Sequence, residues 1–156
     1  ADELAKAFLN NHGYMDMKET YYLKQNGIVT INYAYNQNFE NGMVVMYPDL
    51  IKVKVALDDG SILGIETTGY LNSHYTREIP QNLITEEKAK EVINKELEIL
   101  STNLAMIPTE WKTEVLCWEF KGKVDGNEFL VYINAETGKE EDILVIVNTP
   151  DGTLTH

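Results

Sequence analysis

Two stretches of the chain alternate apolar and polar residues with period two around turns of the same kind. In YPDLIKVKVALDDGSILGIETTGYL (47–71), Ile51, Val53, Val55 and Leu57 share one face, with Lys52, Lys54 and Ala56 on the other. Such alternation belongs to a strand packed on one side and wet on the other. Asp58-Asp59-Gly60 supplies a turn, since Gly tolerates positive φ and Asp bonds its own backbone. Ile62, Leu63 and Ile65 begin the return strand. The expected unit is a β-hairpin with a basic outer face and an aliphatic inner one. In EFLVYINAETGKEEDILVIV (128–147), Phe129, Val131 and Ile133 alternate in the same phase, Glu136-Thr137-Gly138 turns, and Ile143 lies in the return. Superposing Gly60 on Gly138 places Ile51, Val53, Val55 and Ile65 on Phe129, Val131, Ile133 and Ile143. Phase, turn and return agree together, which points to one small unit used twice.

The remaining pattern fills out each unit. Residues 2–12 read as a short helix with Leu4, Ala5, Phe8 and Leu9 on one side, ended by His12-Gly13. Met17–Lys24 and Ile28–Asn36 read as strands about Asn26-Gly27, a strong hairpin signal. A polar loop is expected over 36–42, then a short strand over Met43–Tyr47. Residues 72–84 lose periodicity and contain Pro80, as a linker would. Thr85 is a suitable N-cap with Glu86 and Glu87 behind it, and a helix is expected to run to about Leu100, burying Ala89, Val92, Ile93 and Leu97. Leu116, Trp118 and Phe120, in a strand over Val115–Lys121, answer Ile31, Tyr33 and Tyr35, and Asp125-Gly126 turns the chain into its last hairpin. The expected fold class is α+β: two tandem units, 1–78 and 79–156, each a helix packed on an antiparallel β-sheet. Each unit is small for an independent core, so the two are expected to pack together.

Composition narrows the function. Apolar residues make up 44% and charged residues 24%, a globular balance. No apolar run approaches the roughly 20 residues that span a bilayer. A helix already under way at Leu4 leads to the expectation that an anchor or signal lies upstream of Ala1. The net charge of −12, with 13 basic residues dispersed, argues against nucleic acid. It suits solubility, or a basic protein partner. Cys117, the single cysteine, lies in the apolar-aromatic run VLCWEF and reads as a buried structural thiol.

Known chemical motifs are missing. His12, His74 and His156 form no HExxH pattern, and one cysteine excludes a cysteine-rich zinc site. Neither phosphate-binding glycine fingerprint nor a GxSxG elbow occurs. Asp58, Asp59, Glu140, Glu141 and Asp142 fall on expected turns and solvent faces, where a glycosidase pair finds no burial to perturb it. Asp58–Ser61 lacks the full calcium-loop ligand series. What remains is aromatic: Tyr14, Tyr21, Tyr22, Tyr33, Tyr35, Tyr47, Tyr70, Tyr75, Trp111 and Trp118. Most suit a sheet core or half-buried strand faces. Trp111, after Pro108-Thr109-Glu110, is the best candidate for exposure as a protein-binding anchor or a platform for sugars. The average burial of Trp nevertheless favours core or edge packing for it.

A helix followed by a sheet, used twice, with VKVALDDG and YINAETG at the turns, resembles tandem PepSY domains. That family includes metallopeptidase propeptides and the YpeB-type proteins of bacterial spore germination. The stretch 47–71, LAMIPTEWKTEVLCWEFKGK and FLVYINAETGKEEDIL carry a resemblance to the C-terminal region of the latter, over nearly all of 1–156. The resemblance implies a non-enzymatic protein that stabilises or inhibits the cortex-lytic enzyme SleB, a peptidoglycan lytic transglycosylase. It implies a place in the spore at the inner membrane or cortex side, through an N-terminal anchor outside this sequence. It assigns no catalytic residue, cofactor or metal, and leaves the partner-binding surface and oligomeric state open. A protease-inhibitory module akin to metallopeptidase propeptides, a peptidoglycan-binding module and a carboxylate-pair enzyme acting on peptidoglycan are the alternatives.

Overall fold

The computed structural model describes residues 1–40, 42–111 and 113–155. The chain runs α1 (Asp2–Asn11), β1 (Met17–Gln25), β2 (Ile28–Phe39), β3 (Gly42–Ala56), β4 (Ile62–Glu66), α2 (Thr68–Ser73), α3 (Glu86–Lys90), β5 (Glu98–Pro108), β6 (Glu114–Val124), β7 (Asn127–Asn134), β8 (Glu140–Thr149) and β9 (Gly152–Thr155). All nine strands belong to one sheet, in the order β2-β1-β9-β8-β7-β6-β5-β3-β4, and β2 also pairs with β3. That last pairing closes eight strands into a barrel, with β4 outside the ring on the far half of β3.

The hairpins follow the alternation and the turns. Asn26 and Gly27 take φ of 52° and 75°, the doubly left-handed turn that matches strand twist, and Gln25 pairs with Ile28. In the two repeated hairpins Val53 pairs with Ile65 and Val131 with Ile143. Their turns also share one hydrogen bond, Gly60 N–H to Ala56 O and Gly138 N–H to Asn134 O.

The expectation of two helix-on-sheet units is overturned. The structure is mostly β, its helices are short, and the strands of both halves form one closed sheet. Two seams do this: β3 runs parallel to β5 (Val44–Leu104, Val45–Ala105, Met46–Met106), and β9 meets β1 at Leu23–Gly152. An open sheet leaves rows of unpaired N–H and C=O groups on its edges, and closure removes them. The helix expected to reach Leu100 stops at Lys90. Tight turns follow, Val92 N–H reaching the Ala89 carbonyl and Ile93 N–H the Lys90 carbonyl, and Asn94 then opens another, its Oδ1 accepting from the Glu96 N–H at 3.0 Å. Residues 98–108 then form β5, because Ser101, Thr102 and Asn103 favour extended or turning backbone over helix. Residues 36–39, expected as loop, continue β2.

The barrel interior is filled by Ala34, Val45, Ala105, Cys117, Leu130, Tyr132 and Ile146 from six strands. Irregular and short helical segments cover the outer face. Ala5 and Leu9 of α1 pack on Val29, Ile31, Tyr33, Ile51, Val53 and Val55. Ile79 and Leu83 of the linker lie against Val44, Met46 and Leu104, and Ala89 and Ile93 against Phe120, Val131 and Ile133. A register shift opposite Ala34 and Tyr35, at Tyr47–Asp49, reverses which face odd-numbered residues of β3 present. Val45 therefore points inward while Ile51 meets α1. Leu4 and Leu57, both expected on packed faces, are half exposed.

Gly152 sits at the narrowest seam with φ of 149°, and a Cβ there would collide with the Tyr22 carbonyl. Gly126 also has positive φ, but open space surrounds it. Gly152→Ala should therefore cost about 2–4 kcal/mol in urea unfolding, against about 1 kcal/mol for Gly126→Ala. Equal losses would show that the seam tolerates a side chain.

Candidate functional site

Three polar assemblies stand out against the apolar packing. The first ties the linker to the barrel. Arg77 is 5% exposed and Asp49 fully buried. The guanidinium donates from NH1 to Asp49 Oδ2 (2.9 Å) and from NH2 to Asp49 Oδ1 (2.7 Å). It also donates from Nε to Glu114 Oε2 and from NH2 to Glu114 Oε1, both at 2.7 Å. The Tyr75 and Ser73 carbonyls take further bonds at 3.2 and 3.0 Å. A planar fork matches two carboxylates in this way, and a lysine could not. Burial works against the charge, but the bonds to Asp49 and Glu114 prevail, and the Arg77 pKa is raised. Gln37 completes the lock, donating to the Arg77 carbonyl at 2.7 Å and accepting from its N–H at 3.0 Å. His74 Nδ1 lies 2.8 Å from Asp49 Oδ2, its ring stacked on Tyr70. Asp49 and Glu114 are thus two carboxylates brought together, yet both are engaged by one cation, as a structural strut requires.

The second assembly is inside the barrel. Glu119 on β6 is 6% exposed and accepts at one oxygen, Oε2, from the Tyr47 hydroxyl (2.6 Å) and the Tyr132 hydroxyl (2.7 Å). Both phenols are raised well above the tyrosine range, first by burial and then by the field of Glu119. Tyr21 is raised for the same two reasons. Cys117 shares this interior, and burial followed by the charges of Glu141, Asp142 and Glu119 pushes its thiol up to about 12. It is the inert thiol that its apolar surroundings suggest.

The third is the tip of the β5–β6 hairpin. Trp111, expected to pack at the core or an edge, is 84% exposed there. The tip is rigid. Thr109 N–H donates to the Thr113 carbonyl at 2.8 Å, their hydroxyls are 2.6 Å apart, and Trp111 N–H reaches Thr109 Oγ1 at 3.3 Å. Beside it lies a depression of about 370 Å3 between Ile107, Pro108, Glu110, Trp111, Glu141 and Asp142.

The other sequence candidates scatter. His12 Nδ1 donates to the Phe8 carbonyl at 2.8 Å and its ring stacks on the Phe8 ring, while His156 lies outside the described residues. Asp59 accepts from the Ser61 N–H at 2.8 Å, a bond that lowers its pKa, and Asp58 from the Asp59 N–H. Those carboxylates serve their own turn. Glu141 accepts from Asn134 Nδ2 at 3.0 Å. Tyr14 meets Tyr70 edge-on, and Tyr33 donates to Asp2 Oδ1 at 2.6 Å, fixing α1. Among the described residues no group of three or more His, Cys, Asp or Glu is placed to hold a metal ion. No described helix is long and apolar enough to cross a membrane. Arg77, Asp49 and Glu119 were not distinguished by the sequence, where each is a single charge amid strand or linker residues.

Residues 1–80 match the family described as YpeB sporulation, PepSY1 and PepSY2 domains, and residues 83–144 that described as peptidase propeptide and YPEB domain. The sporulation protein YpeB of Bacillus subtilis (strain 168) is 38% identical over 146 residues, which cover 92% of this chain and 32% of that protein. Its namesake in Halalkalibacterium halodurans is 35% identical over 143 residues, 92% of this chain and 31% of the relative. The chain thus spans about a third of the length of these curated relatives. The solved Bacillus megaterium YpeB C-terminal domain superposes with a TM-score of 0.81 at 31% identity, covering 94% of this chain and 64% of that one.

Removing one member of the buried ion cluster leaves the others uncompensated. Arg77→Met should destabilise the fold by about 3–5 kcal/mol, and Arg77→Lys should recover less than half of that, as read from urea midpoints. Full recovery by Lys would show that charge alone suffices. Cys117 should resist iodoacetamide at pH 8 in the native protein and react once unfolded in urea, as read by intact mass. Its folded pKa lies above the unfolded value. Its stabilising contribution is therefore complete below the ordinary thiol range and is lost as pH rises toward about 12.

Proposed function

The chain belongs to the YpeB sporulation family built on PepSY domains, and from that membership we propose a non-catalytic binding domain that docks on the cortex-lytic transglycosylase SleB. Its role lies in sporulation and germination, and its setting is the spore. There, at the inner membrane or cortex side, it stabilises or restrains the hydrolase. The observation that carries this reading is Trp111, 84% exposed on a hairpin tip whose turn is fixed by Thr109 and Thr113. A turn closed by its own hydrogen bonds presents the ring with little backbone ordering left to do on binding, and Trp is among the residues that dominate interface energetics. Glu110, Glu141 and Asp142 beside it, with a net charge of −12, suit a basic face on the partner. The same Trp with flanking carboxylates suits a sugar ring, which makes a muropeptide the second reading.

Mixing the domain with purified SleB should yield a complex by calorimetry and a changed rate of cortex hydrolysis. Trp111→Ala should weaken that complex by about ten-fold or more at an unchanged urea midpoint, as the loss of an aromatic anchor does. A complex indifferent to Trp111→Ala overturns the assignment of the hairpin tip. Absence of any complex, together with muropeptide-induced quenching of Trp fluorescence, favours the glycan reading.

A further inference from the structure

The ring of strands holds a half-open cavity of about 240 Å3, lined by Tyr21, Tyr47, Leu130, Tyr132, Asp142 and Leu144 among others. Ile107, Pro108 and Asp142 are common to its wall and to the depression beside Trp111. The volume falls below the ~300–1,000 Å3 of sites for drug-sized ligands, so an occupant is no larger than one long side chain. Its polar groups are mostly acceptors. The Tyr47 and Tyr132 hydroxyl protons are both committed to Glu119 Oε2, which leaves their oxygens with lone pairs. Pro108 has no N–H to offer, and Asp142 adds a carboxylate whose Oδ1 accepts from the Ile143 N–H at 2.8 Å. The Tyr21 hydroxyl has no hydrogen-bond partner among the described residues.

Glu119, more than nine-tenths buried, has no Lys, Arg or His paired with it or with Asp142 among the described residues. A buried carboxylate is ordinarily met by a cation, as Asp49 is met by Arg77 in this same molecule. Glu119 is not itself in the cavity wall, but the two phenols bonded to it line that wall together with Tyr21, and aromatic rings with phenol oxygens attract an ammonium group.

We propose that the barrel cavity binds a primary alkylammonium on an aliphatic stem, the chemistry of a lysine side chain in a peptide. The stem lies along Leu130, Leu144 and the tyrosine rings. The ammonium donates to the Tyr47 and Tyr132 oxygens, whose protons stay on the bonds to Glu119. No proton or covalent bond changes hands. This site stands independently of the docking of a hydrolase, and its test contains none.

Nα-acetyl-lysine-N-methylamide, titrated into the whole chain and followed by NMR of the tyrosine rings, should shift Tyr47 and Tyr132. The norleucine analogue, of similar length but uncharged, should bind at least about ten-fold more weakly. Glu119→Gln keeps shape and hydrogen-bonding capacity but removes the charge, and should lower affinity for the lysine probe by a similar factor. Leu144→Trp fills the cavity without touching Glu119 and should abolish binding, so the test survives a Glu119→Gln variant that fails to fold. Equal affinity for both probes, binding that persists in folded Leu144→Trp, or no ring shift at about 10 mM lysine probe overturns the proposal.

Discussion

Every strand of a β-sheet carries donors and acceptors on both edges, and the arrangement of this molecule follows from where those groups find partners. Two separate helix-on-sheet units would each have left edges open to water or to other chains. Instead β3 takes β5 along one side and β1 takes β9 along the other, so the two halves share a single ring. Closure then dictates the rest. It creates an inside, which must be filled, and an outside, which α1, the linker and the segment from α3 to Leu97 must cover. It also places the β5–β6 hairpin where Trp111 stands exposed.

The inside is not purely apolar, and its polar content is economical. Glu119 satisfies two phenols at one oxygen, which removes two buried hydroxyl donors from the list of groups needing partners. Outside, Arg77 engages two carboxylates and two carbonyls with one side chain and fastens the irregular chain between α2 and α3 to β3 and β6. Gln37 reads the backbone of the same segment. A linker held so tightly is part of the barrel wall, and its lack of periodicity reflects side-chain bonding in place of a ladder.

What was legible in the sequence was local. Period-two alternation located the hairpins about Asn26-Gly27, Gly60 and Gly138, because each needs only its own residues and a turn that glycine permits. The amphipathic stripe located α1. The seams were not legible, since pairing of Val45 with Ala105 or Leu23 with Gly152 depends on partners far away in sequence. Strand β5 was obscured by a leading Thr85-Glu86-Glu87 cap that does start a helix, but one that ends within two turns. The polar run Asn36–Asn38 suggested a loop and proved to be strand, with the Gln37 amide spent on the linker. The Tyr47–Glu119–Tyr132 group joins residues from three strands, and no spacing rule brings them together.

The seam between β1 and β9 has a consequence for how the molecule comes into being. Strand β1 leaves the ribosome well before the strand that meets it, which is the ninth. Throughout that interval the nascent chain carries an incomplete ring, with hairpins formed and the final gap unzipped, since distant pairings form slowly. During synthesis the exposed flank of β1 is therefore a place where another extended polypeptide, helper or aggregating neighbour, competes with Gly152 for the same hydrogen bonds.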